Sequence, residues 1–157
     1  MSETEILRRL SDLGLELPPP TPPVASYVPV VEAAGLAFVA GQIPMAEGRQ
    51  LFPGTLGADV TVAEGQQAAA QAALQAISIL RATLGSLDRV RRIAQVTVYI
   101  AAVPGFLEHP EVANGANELF VGAFGEAGKH ARAAVGMSSL PRGASVEVAV
   151  TVEVAPG

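Results

Sequence analysis

From Ser145 to Val154 every second residue is valine. Val146, Val148, Val150, Val152 and Val154 project to one side of an extended chain, and Ser145, Glu147, Ala149, Thr151 and Glu153 to the other. A period of two belongs to a β-strand, and a strand with its large apolar side chains all on one side needs a buried face to hold them. In the stretch before it, Ala133, Val135 and Met137 form an apolar set, while Arg132, Ala134, Gly136 and Ser138 share the opposite face. Pro141 and Gly143 supply a turn. The pattern predicts a β-hairpin that places Arg132 and Glu147 on the same non-core face, with Ala134, Gly136 and Ala149 as small neighbours. Small residues around one guanidinium leave a hollow, and the planar fork of arginine can donate two parallel hydrogen bonds to a carboxylate there. The plainer alternative is an exposed strand face carrying two solvated charges.

A chain of 157 residues fits one domain, and with 50% hydrophobic and 16% charged residues it has ample material for a core. Aromatics are only 4%, so that core must be built from Ala, Val, Leu and Ile. The mean hydropathy of +0.38 points to apolar surface buried between subunits, or simply to an alanine-rich composition. A net charge of −5 argues against a nucleic-acid partner, since phosphate backbones are bound by clustered Lys and Arg. The one local cluster, Arg89, Arg91 and Arg92, has no interleaved aromatics. There is no cysteine, which excludes disulfides and thiolate chemistry. His109 and His130 lack ligand spacing, so no metal is expected, and no cofactor either. No secretory signal or membrane span is legible, and the expected location is cytoplasmic.

In chain order, residues 3 to 13 carry Ile6, Leu7, Leu10 and Leu13 at helical spacing, and the run Pro18–Pro23 follows as an extended connector. Residues 1–24 are thus an N-terminal helix and proline-rich extension, and 25–157 the main domain. Two strands are expected at 26–31 and 36–43, with Gly41 permitting close approach of a ligand to the backbone. Thr61 and Glu64 form a capping box that opens a helix running to about Leu84. A strand follows from Arg92 to Val103, then a second helix from Phe106 or Leu107 to about Ala127, bearing Asn114 and Asn117. Strands paired at both ends with helices between them define an α+β fold: one mixed sheet with two helices packed on one face.

The segment Ala131-Arg132, then Val135, Leu140-Pro141 and Val146-Glu147-Val148, resembles the closing hairpin of the reactive-intermediate deaminase family, also called YjgF-like. Two further stretches match it: Tyr27 to Pro44, ending Val-Ala-Gly-Gln-Ile-Pro, and Asn114 to Phe120. The resemblance implies a chorismate-mutase-like fold and a homotrimer with sheets facing inward and pockets between subunits. It implies hydrolysis of small imines and enamines, chiefly 2-imino acids, to 2-oxo acids and ammonia. Arg132 would then clamp the substrate carboxylate and Glu147 would orient or deprotonate the attacking water. The backbone at Gly41 and the side chain of Asn114 would hold the substrate, and Tyr27 would close the pocket from a neighbouring subunit. Four positions depart from the family pattern. Ala134 replaces a frequent cysteine, Gly136 a frequent acid and Asn117 a frequent tyrosine, and His130 stands where many relatives have proline. The alternatives are a non-catalytic protein that binds small carboxylates on the same scaffold, and an RNA-cleaving enzyme, for which charge and aromatics give poor support.

Overall fold

The computed structural model describes residues 1–20 and 26–157. The end of the proline run and the expected boundary at residues 24 and 25 lie outside the described residues. The main sheet has five strands: β1 (Val30–Ala33), β2 (Leu36–Gln42), β5 (Val90–Ala101), β6 (Ala131–Met137) and β7 (Val146–Val154). Their order across the sheet is β1-β2-β7-β5-β6. A small hairpin of β3 (Met45–Ala46) and β4 (Arg49–Gln50) stands apart. Helices α2 (Val62–Leu84) and α3 (His109–Phe124) cover one face of the sheet, which gives the expected mixed α+β architecture.

Local chemistry accounts for the helices. Thr61 Oγ1 accepts from the Glu64 amide (3.2 Å) and Glu64 Oε2 accepts from the Thr61 amide (2.8 Å), so the capping box closes both ways. Gly85 ends α2 in the left-handed region. Ala68, Ala69, Ala72, Ala73 and Ala76 are fully buried along it. A helix paved with alanine can lie close to its neighbours, and α2 packs against both α3 and the sheet. The N-terminal helix α1 (Glu3–Asp12) packs on α3, with Ile6 and Leu10 buried in the same core. Glu3 ties it down: its carboxylate accepts from the Leu87 amide (2.8 Å) and from Arg81 Nη2 (2.8 Å). Further along, Ser78 Oγ donates to the Pro18 carbonyl, which fixes the start of the proline run against α2.

Strand β7 behaves as its alternation requires. All five of its valines are buried toward the helices, while Glu147, Ala149, Thr151 and Glu153 face the open side. The expected hairpin does not form. β7 lies between β2 and β5, antiparallel to both, and β6 pairs with β5 in parallel at the sheet edge. The helix α3 carries the chain from the end of β5 back to the start of β6, and such a crossover makes the two strands parallel. The loop after β6 then passes over β5 to start β7 on its far side.

The parity of β6 is also the reverse of the sequence expectation. Arg132, Ala134 and Gly136 pair with Val96, Val98 and Ile100, all fully buried under the helices, so these three face the helix side. Ala133, Val135 and Met137, expected in the core, lie on the open face with Tyr99 and Glu147. That face is itself apolar. Val31 is 50% exposed, Phe38 45%, and Val135 and Met137 38% each. A register shift between Ile93 and Gln95 turns β5 by one residue, so that Ile93 and Val96 both point to the core.

Candidate functional site

The residues that sequence reasoning brings together fall into two clusters. The first lies on the helix side of β6. Arg132 Nη1 donates to Asn114 Oδ1 (2.9 Å) and to the Pro110 carbonyl (3.3 Å), both on α3. These bonds hold one corner of the guanidinium. Its Nε and Nη2 have no acceptor among the described residues, which leaves the fork's free edge for a ligand. Asn114 therefore touches the arginine directly, and its contribution here is to orient the guanidinium.

One turn along α3, Asn117 meets His130, whose Nδ1 donates to the Gly128 carbonyl (2.6 Å) and whose Nε2 is 3.0 Å from Asn117 Oδ1. The His130 ring stands edge-on to Phe120 at 5.8 Å between centroids. Burial holds the His130 pKa below its ordinary value, opposed by the Gly128 bond and aided by the charge of Arg132. The Gly128 carbonyl fixes a proton on Nδ1, and Asn117 meets the other ring nitrogen, so the ring is held from both sides. Asn114 and Asn117 thus face two alternate residues of the entry to β6, Arg132 and His130.

The second cluster lies on the open face, around Glu147. An ideal Cβ built on Gly41 would fall 2.0 Å from Glu147 Oε1. The glutamate side chain occupies the space that only a glycine leaves. Glu147 is half-buried, and burial pushes its pKa above the ordinary carboxylate value. Its carboxylate has no hydrogen-bond partner among the described residues. Tyr27 is exposed in the bend before β1, and the Ala40 amide donates to the Pro29 carbonyl (2.9 Å), so this bend runs beside the Ala40–Gly41 end of β2.

Arg132 and Glu147 do not share a hollow within one protomer. Two strand spacings and three residues of register separate them, about 14 Å between Cα atoms. They also face opposite sides of the sheet, which corrects the shared face expected from alternation. Sequence reasoning missed Pro110, whose carbonyl carries no side-chain signal, and His109, which packs against Gly136. A glycine within a strand marks close approach, and that signal was available at Gly136. Among the described residues no three His, Asp or Glu side chains form a metal-binding group, and no helix is long and apolar enough to cross a membrane.

The sheet order, the two covering helices and the Arg132 cluster define an α+β protein of the chorismate-mutase-like type. Residues 7–153 match the family described as "YjgF/chorismate_mutase-like, putative endoribonuclease". The chain belongs to this YjgF/Rid-like family. It is 44% identical to Protein TCP17 of Trypanosoma cruzi over 94% of this chain and 93% of the relative. Among solved structures, the protein Atu1372 of Agrobacterium tumefaciens, of unknown function, superimposes with a TM-score of 0.92 at 42% identity, over 98% of this chain and 94% of that one. A "putative endoribonuclease" from Shewanella oneidensis gives a TM-score of 0.91 at 33% identity, over 95% and 99%.

Proposed function

We propose that this protein hydrolyses small reactive imines, chiefly 2-imino acids, at a site completed between two protomers of a homotrimer. The observation that carries the reading is the pair of half-sites. A guanidinium is held on one corner and left free on the other, and a desolvated carboxylate without a partner rests on Gly41. Each lacks what the other supplies. The apolar open face around Val31, Phe38, Val135 and Met137 supports assembly with further copies, and the composite site forms if the open face of one chain, which carries Glu147, meets the β6 edge of the next, which carries Arg132.

The chemistry needs little apparatus. Arg132 Nε and Nη2 bind the substrate carboxylate and fix the imine carbon in place. Glu147 accepts a proton from a water, whose oxygen bonds to the carbon of the protonated imine as the carbon–nitrogen π pair moves onto nitrogen. Glu147 passes that proton to the nitrogen of the resulting carbinolamine, the carbon–nitrogen bond breaks, and ammonia leaves as the hydroxyl gives its proton back to Glu147 and the carbonyl forms. A carboxylate with a raised pKa is a stronger base for the first proton and holds that proton until the amine nitrogen takes it. Neither nucleophilic side chain nor metal enters these steps.

A protein that only binds small carboxylates would need Arg132 but not Glu147. The RNA-cleaving reading, carried by the family description and the Shewanella relative's name, would need a basic surface, and the net charge of −5 opposes it. The test is a coupled assay in which an amino-acid oxidase generates 2-imino acids and semicarbazide reports their loss. Wild type should accelerate hydrolysis and Arg132→Ala should not. If wild type leaves every imine at its spontaneous rate, the reading falls. Carboxylate binding that survives Glu147→Gln, with no turnover in either protein, would favour the binding protein.

A further inference from the structure

The helix side of β6 holds an imidazole that the proposed reaction does not use. His109 is the first residue of α3, and its ring stands edge-on to Phe106 at 5.1 Å between centroids. An ideal Cβ on Gly136 would lie 2.5 Å from His109 Nε2 and 3.4 Å from the two ring carbons beside it. The edge of the ring carrying Nε2 therefore occupies the space that any side chain at position 136 would need. Among the described residues neither ring nitrogen has a hydrogen-bond partner.

This imidazole belongs to the same row as the guanidinium. Arg132, Ala134 and Gly136 share one face of β6, and Arg132 bonds to the carbonyl of Pro110, the residue directly after His109. Along the strand, Arg132 and Gly136 are about 13 Å apart. Between them lies Ala134, a small side chain packed against the core. The guanidinium and the unpartnered imidazole thus stand on the same side of β6, joined through the first turn of α3. Glu108 and Glu111, the acids nearest on α3, are exposed.

The geometry points to His109 as a specificity-determining residue: it reads the far end of the ligand held by Arg132 and favours 2-imino and 2-oxo acids that carry a second carboxylate. An imidazole offers an N–H donor in either protonation state, and a carboxylate is the acceptor that gains most from it. A ligand with a carboxylate at each end can accept from the guanidinium at one end and from the imidazole at the other. The inference deepens the proposed function, because it rests on Arg132 as the clamp for the first carboxylate.

Binding of product acids tests it without turnover. The probes are 2-oxobutyrate, with one carboxylate, and 2-oxoglutarate, with two. The chain has two histidines, so the ring C–H resonances in a proton NMR spectrum are few and His109→Gln assigns them. Wild type should bind 2-oxoglutarate about tenfold more tightly than 2-oxobutyrate, the worth of one charge-assisted hydrogen bond at a partly exposed site. Only 2-oxoglutarate should move the His109 resonance. In His109→Gln the ratio of the two affinities should fall toward one, and Gly136→Ala should do the same by pushing the ring aside. Equal affinities for the two acids in wild type, or a ratio untouched by both substitutions, overturns the inference and leaves the clamp standing. If Arg132→Ala binds both acids as wild type does, clamp and inference fall together.

Discussion

Gly41→Ala isolates the position of the glutamate from its chemistry. The new Cβ would sit 2.0 Å from Glu147 Oε1, 2.8 Å from Cδ and 3.0 Å from Cγ. An ordinary carbon–oxygen contact is about 3.4 Å, so the carboxylate must retreat by about 1.4 Å. The backbone at Gly41 is outside the left-handed region, and the obstacle is the flexible end of a side chain, so the fold can absorb the change. Displacing a reacting group by about 1 Å costs on the order of 10²-fold in rate, about 2.7 kcal/mol of barrier. Stability should move by no more than about 1 kcal/mol, roughly 3 °C in Tm for a chain of this length. In the oxidase-coupled assay, kcat for Gly41→Ala should fall about 100-fold while calorimetry finds the protein folded. In a Glu147→Gln background the same substitution should cost nothing further, because the group it displaces is already disabled. Full activity in the single variant, or independent losses that multiply in the double, would refute the argument that Gly41 seats Glu147.

Three further outcomes follow from the same contacts. Burial raises the Glu147 pKa above 4.5, so the folded chain binds the proton more tightly than the unfolded one. The stabilisation this gives is present below pH 4.5 and is lost as pH rises through the raised value; Glu147→Gln should remove that slope and, at pH 7, raise Tm by roughly 1–2 °C, and a variant less stable than wild type at pH 7 would contradict this. The Leu87 amide and Arg81 hold the Glu3 carboxyl below its ordinary pKa, so its stabilisation is present above pH 4.5 and lost as pH falls through the lowered value. Glu3→Gln should flatten the acid limb of a Tm–pH profile, and an unchanged limb would detach α1 from that contact. Leu10 is 1% exposed in the shared core, so Leu10→Ala should lower stability by about 2–5 kcal/mol in urea unfolding. An unmoved urea midpoint would show that α1 does not belong to the cooperative unit.

The helices and the longer strands were legible in the sequence, although β1 spans Val30–Ala33 and not 26–31. Their neighbours were not. The Thr61–Glu64 box and Gly85 mark both ends of α2, because capping is local chemistry. The five valines of β7 declare a face, and the structure buries all five. Alternation says which side chains share a side, however, and is silent about which strand lies alongside. Pro141 and Gly143 suggested a hairpin, and α3 as a crossover made β6 a partner of β5 instead. The face of Arg132 was misread for a related reason. Val135 and Met137 look like core residues, yet they lie on an open face that is itself apolar, and Ala134 and Gly136 are too small to declare the buried side. The arginine and the glutamate were visible as a pair; that a sheet separates them was not.

That separation is the central claim, and subunit complementation tests it most directly. Arg132→Ala and Glu147→Gln would each be inactive alone in the imine assay. Co-expressed in equal amounts, they should form mixed oligomers in which about a quarter of the interfaces join an intact Arg132 cluster to an intact Glu147 cluster. The account predicts recovery of roughly that share of wild-type activity. If the mixed oligomers, verified by differential tags, remain as inactive as their parents, the two residues do not meet across an interface, and the composite site is wrong.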